Sequence, residues 1–282
     1  MTMSAITITH VPVPARAADH TPVFSNVLRS EWTKLRSVRS TYWTLLAAVI
    51  ATVGISALIS SIYASQYSTM SASSRAHFDP TSFSLNGIFL AQLAIGVLGV
   101  LVITSEYSTG AIRSTFAAVP QRRTVLAAKA TVFTAVTLVV GVVSSFAAFF
   151  IGQAILSTQG IQAHIGDPGV LRAVAGGGIY LAVLGLFALA LGTLIRHTAG
   201  AISAVFGIVL VLPILVSTLP ASWSNSIAKY LPSNAGQAIG RTVQGAGRGG
   251  PSLSPWVGMG VFCLYAAVTL AIAAVALRRR DA

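Results

Sequence analysis

A chain of 282 residues with 54% hydrophobic and only 9% charged side chains cannot cover a globule with water-compatible groups, because soluble domains carry roughly 25% charged residues. With a mean hydropathy of +0.78, it is expected to be an all-α integral membrane protein. The net charge of +12 would suit nucleic acid. The basic residues, however, stand at the ends of apolar runs, which is the pattern of membrane topology and anionic lipid headgroups, so membrane lipids and not nucleic acid are the expected partner. The single cysteine, Cys263, excludes an internal disulfide and a cysteine metal cluster.

Residues 1–23 mix Thr, Pro and Ala without a helical period. They predict a disordered tail, not a secretory signal, since no apolar core follows Met1. Residues 24–40, FSNVLRSEWTKLRSVRS, predict an amphipathic helix lying in the membrane interface. Phe24, Leu28, Trp32 and Leu35 form one stripe that continues to Tyr42, with Arg29, Thr33 and Arg36 opposite. Glu31 projects from the apolar side. An unpaired carboxylate there is costly, so a cationic partner is expected, with Arg113 and Arg122 the first candidates; a shallow face that lets Glu31 reach water is the alternative.

Spans are predicted at about 42–63, 85–105, 124–156, 171–195, 199–219 and 256–277. Lys129 lies about one turn inside the third and is expected to snorkel to the edge. Gly176, Gly177 and Gly178 open the fourth, where small residues either allow close helix packing or loosen the helix. Pro213 predicts a kink in the fifth. Gln92 and Gln153 read as packing groups within the spans. A metal site at His77 and Asp79 has no further ligand nearby. Between the fifth and sixth spans, residues 222–231 and 233–243 predict two short re-entrant or interfacial helices on the outer face, followed by a flexible hinge at 245–252.

Of the 18 basic residues, only Arg75, Arg172, Lys229, Arg241 and Arg248 fall on the side away from the termini. An even number of spans and this bias place both termini in the cytoplasm. The stretch TSEYSTGAIRSTFAAVPQRR, residues 104–123, is then cytoplasmic. On a continuous helix, Glu106, Gly110 and Arg113 fall at i, i+4 and i+7 and share one face. A solvated loop whose arginines set topology accounts for the arginines; a short helix that docks on a soluble partner also accounts for Glu106 and Gly110.

No G-x-x-x-x-G-K-[ST], H-E-x-x-H or G-x-S-x-G occurs, and no acid falls inside a predicted span. A transporter of this kind needs an external motor. SEWTKLRSVRSTYWTLL (residues 30–46), TSEYSTGAIRSTFAAVPQRRTVLAAKA (104–130) and KYLPSNAGQAI (229–239) resemble, in order, pieces of the permease subunits of bacterial type-2 ABC exporters. The resemblance runs from about Phe24 to Arg280, as a single permease domain over residues 24–280. It implies a connecting helix, a coupling helix between spans 2 and 3, and re-entrant outer helices before the last span. It further implies a second permease copy, identical or paralogous, and two separate ATP-binding subunits that carry the ATP and magnesium, so that the chain itself holds no cofactor and is not an enzyme. The location implied is the bacterial plasma membrane. Glu106, Tyr107, Gly110 and Arg113 match the family's EYxxGxxR pattern at the motor contact, and Glu31 and Lys34 match its connecting helix; no substrate residue carries over. A membrane scaffold or sensor on the same fold, recruiting a soluble partner without moving cargo, is the alternative reading.

Overall fold

The computed structural model describes residues 24–76, 78–242 and 252–280. The expected tail at 1–23, His77 and most of the expected hinge at 245–252 lie outside the described residues. The described residues form helices and turns without a strand, and six helices are long and apolar enough to cross a membrane.

The first helix, α1 (Phe24–Ser37), ends at Val38, whose extended backbone (φ −87°, ψ 108°) separates it from α2 (Arg39–Gln66), the first spanning helix. The stripe expected from Phe24 to Tyr42 is therefore broken. Phe24 and Trp32 face outward, at 43% and 49% exposure, while Val27 and Glu31 point into the bundle. Two short helices, α3 (Ala72–Ala76) and α4 (Pro80–Ser84), fill the connection between the first and second spanning helices. Asp79 caps α4, accepting from the backbone N–H of Thr81 and Ser82, and its other oxygen accepts from the Thr242 hydroxyl at 2.6 Å. That buried carboxylate is thus a structural cap tying two connecting segments together.

The second spanning helix, α5 (Ile88–Ser108), runs three residues past its expected end and takes Glu106 into its last turn. Helix α6 (Ala111–Ala118) follows, then the 35-residue α7 (Arg122–Leu156), then α8 (Val170–Ile195). The fifth span is α9 (Thr198–Phe206), a π-helical turn (Gly207–Val211) and α10 (Leu212–Ser217). The wider turn stands just ahead of Pro213, where a ring without an N–H would otherwise interrupt the ladder. Helices α11 (Ala221–Ile227) and α12 (Pro232–Gln237) precede α13 (Pro255–Arg280), the sixth span.

Helix α8 is the axis, packing against α5, α7, α9 and α13. Its glycines decide the contact distances. A Cβ added to Gly178 would stand 2.5 Å from the Val142 backbone nitrogen, and one on Gly99 would stand 2.6 Å from the Gly185 carbonyl oxygen. The glycine triplet lies wholly within the continuous α8, so it serves close packing and does not loosen the helix.

Gln153 donates to the Pro80 carbonyl and the Ser84 hydroxyl and accepts from the Ala163 N–H. Gln92 accepts from the Tyr180 hydroxyl at 2.5 Å and from Gln237 of α12. Both glutamines are packing groups, as their positions suggested. The two short segments before the last span differ. Residues of α12 and the turn after it are buried against α8 and α13, whereas Trp223 of α11 is 66% exposed.

Candidate functional site

At the end of the bundle that carries α1 and α6, four charged side chains from three helices close into one cluster. Lys129 of α7 donates to Glu31 Oε2 at 2.5 Å and to Glu106 Oε1 at 2.8 Å. Lys34 of α1 donates to Glu31 Oε1 at 2.7 Å, to Glu106 Oε1 at 3.3 Å and to the Thr115 hydroxyl of α6 at 3.2 Å. Two cations and two anions alternate, so the cluster is neutral as a whole. Glu31 and Lys129 are each about 4% exposed.

The local sequence builds this geometry simply. Glu31 and Lys34 lie three apart and share a helix face. Val27 and Leu28 seat that face on Val125 and Ala128 of α7, together with Phe116 and Val119 at the end of α6. Burying charges as deeply as Glu31 and Lys129 is expensive unless each meets an opposite charge at hydrogen-bond distance, and each one here does. Glu31 uses both oxygens, whereas Glu106 Oε2 is buried with no hydrogen-bond partner among the described residues. Burial alone would lower the Lys34 pKa, but the hydrogen bond and charge of Glu31, with Glu106 adding to them, outweigh it and hold the ammonium above the ordinary lysine value.

Three expectations are corrected by this arrangement. The cationic partner of Glu31 exists but is Lys129 together with Lys34, not Arg113 or Arg122. Lys129 does not snorkel: it is buried at 3% because two carboxylates meet it inside the bundle. Glu106, Gly110 and Arg113 do not share a helical face. Gly110 takes a left-handed backbone (φ 73°), a conformation open chiefly to glycine, and ends one helix before the next begins. Glu106 therefore turns inward from α5 while Arg113 stands exposed on α6.

The other side of α5 is fastened too. Tyr107 lies under the Arg196 guanidinium, 5.2 Å from ring centroid to carbon. Arg196 itself ends α8 with a left-handed backbone (φ 58°). Two residues on, the Thr198 and Thr104 hydroxyls are hydrogen-bonded at 3.0 Å. The six residues singled out from the sequence thus divide. Glu31, Lys34, Glu106 and Tyr107 join helices to one another, and Gly110 and Arg113 form an open turn and an open face.

Helix α6 has two distinct sides. Ile112, Thr115 and Phe116 face the bundle, while Arg113, Ser114, Ala117 and Ala118 are exposed. Lys129 is the member of the cluster that the sequence alone misreads. Its signal was present, as a lone lysine in an apolar run on the same end as the chain's two otherwise unmatched acids.

No curated protein matches the chain by sequence. A family described as ABC-2 family transporter protein matches residues 27–214. That stretch contains all four charged groups and reaches into the fifth spanning helix, and the chain belongs to the ABC-2 transporter family as a multi-pass membrane permease component.

Proposed function

We propose that the chain is the membrane half of an ATP-driven exporter, and that its motor engages the Gly110 turn and the open face of α6 around Arg113. Association with an ATP-binding subunit follows from the family in general; the finer reading is two such subunits under a pair of permease chains, identical or paralogous. ATP, with its magnesium, is bound and hydrolysed on those subunits. The charge bias supports a cytoplasmic position for both termini, α1 and α6, and the membrane in this reading is a bacterial plasma membrane.

One observation carries the proposal. The four-charge cluster links the inner side of α6, through Thr115, to α1, α5 and α7. A push on α6 meets a set of strong charge-assisted hydrogen bonds, which each lysine can shift from one carboxylate to the other without leaving the cluster. Displacement is thereby passed to three helices together. Glu31, Lys34 and Glu106 act as relay, Tyr107 braces the end of α5 under Arg196, and Arg113 is the direct contact.

The test is reconstitution with the ATP-binding subunit in vesicles. Arg113→Glu is expected to lower co-purification of the ATP-binding subunit and the hydrolysis rate of the complex by at least about tenfold, the loss of one charge pair at an interface, while the permease still inserts. Undiminished association in Arg113→Glu contradicts the contact. In inside-out vesicles, ATP-dependent uptake of labelled cell metabolites supports export. Hydrolysis with no uptake of any component contradicts it and favours a scaffold or sensor.

A further inference from the structure

Beside the charge cluster, an open cavity of about 590 Å³ is lined by Pro120, Gln121, Arg122, Arg123, Thr124 and Arg278. Arg122 forms its fixed wall, donating to the Leu277 carbonyl at 3.1 Å and lying over the Phe116 ring. Arg123 and Arg278 are exposed at its rim. The two acids of this end among the described residues, Glu31 and Glu106, are held by Lys34 and Lys129. Neither is left to balance Arg123 or Arg278.

The cavity lies where α7 begins and α13 ends, the level at which spanning helices leave the apolar layer and meet headgroups. Below Arg278, on the same face of α13 by helical spacing, Leu264, Val268 and Val275 are exposed at 63%, 49% and 42%. From Arg278 to Leu264 the helix descends about 21 Å, somewhat more than half of a hydrocarbon core roughly 30 Å thick. A basic cavity standing on an apolar strip one leaflet deep matches a molecule with an anionic head and an acyl tail. A free phosphate would use the arginines and leave the strip without a role.

We propose that this cavity binds an anionic phospholipid, with Arg123 and Arg278 on the phosphate and one acyl chain along the Leu264–Val268–Val275 strip. Guanidinium groups suit a phosphodiester because they donate in pairs to its oxygens. The lipid would join α7 to α13 at a point that the protein itself bridges through Arg122.

The experiment uses the full-length protein in mild detergent. It is titrated with phosphatidylglycerol or with phosphatidylcholine of the same acyl chains, and the complexes are counted by native mass spectrometry. Phosphatidylglycerol is expected to bind the wild type more tightly than phosphatidylcholine. A lysine or arginine near an anionic lipid is worth about fivefold in binding, so R123Q/R278Q is expected to lose about 25-fold and Arg278→Gln alone about fivefold. R29Q/R36Q removes the same charge from the exposed side of α1 and is expected to change nothing. Equal loss in that control, or no preference for phosphatidylglycerol, overturns the proposal. So does displacement of phosphatidylglycerol by inorganic phosphate, which would make the site one for free phosphate.

Discussion

The two ends of this bundle are held together by different physics. Around α8, the middle and outer parts depend on contact between backbones. Gly178 and Gly141 let α8 and α7 touch, and Gly99 and Gly185 do the same for α5 and α8. At the other end, α1, α5, α6 and α7 meet through Glu31, Lys34, Glu106 and Lys129. A glycine crossing has one acceptable arrangement, because nothing can be inserted and little is gained by separation. A charge cluster has several, because each lysine already faces two carboxylates and can shift weight between them. The region that tolerates rearrangement is the region beside α6, where a motor would act.

Substitutions can break this comparison on either side. The largest effect is expected for Lys129→Met, which leaves Glu31 without its shortest partner in a buried site. Breaking a buried ion pair from one side costs about 3–5 kcal/mol, to be read as a lowered midpoint of thermal unfolding in detergent. The paired variant E31Q/K129M should recover most of that loss, since Lys34 and Glu106 remain as a neutral pair. Glu31→Gln alone should cost more than Glu106→Gln, because Glu31 uses both oxygens and Glu106 one. An equal cost would show that the buried Glu106 oxygen matters as much as the paired ones.

On the packed side, Gly178→Ala is expected to cost about 1–3 kcal/mol by overpacking. The added carbon meets the Val142 Cγ2 and, equally close, the Val142 backbone nitrogen, which cannot turn away. Unlike Lys129→Met, no second substitution on α7 should rescue it, which size-exclusion profiles of the double variants would reveal. Asp79→Ala, which removes the cap of α4, is expected to cost about 1 kcal/mol.

The smallest effect is expected for Lys34→Met. The lysine side chain is 37% exposed, and pairs that reach solvent contribute less than about 1 kcal/mol. Its pKa is raised above the ordinary 10.5. A raised lysine pKa stabilises the fold at every pH below the unfolded value, and that contribution is lost only as pH rises through the folded value. The difference in unfolding midpoint between wild type and Lys34→Met should therefore stay constant across neutral pH and vanish only above 10.5. A difference that disappears near neutrality would mean that another group, not Lys34, is titrating.

The spans were legible because an apolar run of twenty or so residues has few alternatives in a bilayer. Their order and number follow directly, and the excursions at each end are small, such as the three residues by which α5 outlasts its expected end. The site was legible only in part. Glu31 announced that it needed a cation, since an acid on an apolar face must be matched. Its partner did not announce itself, because Lys129 stands 98 residues away, and helical spacing carries no information at that separation. Gly110 misled for a different reason. A glycine fits both inside a helix and at a left-handed break between two, and only the packing of Ile112 and Phe116 beneath α6 selects the break. Arg113 then turns outward, and the face it was expected to share with Glu106 does not form.

The central claim is that the charge cluster carries motion from α6 to α1. Hydrogen exchange of the reconstituted complex, with and without ATP and vanadate, tests it without knowledge of the cargo. In wild-type protein, nucleotide should change the exchange of α6, of the first turns of α7, and of Phe24–Ser37 together. In E31Q/K34M/E106Q/K129M, which removes every charge of the cluster and with it the Lys34–Thr115 bond to α6, α6 should still respond and Phe24–Ser37 should not. An α1 response of the same size in both proteins would contradict the relay.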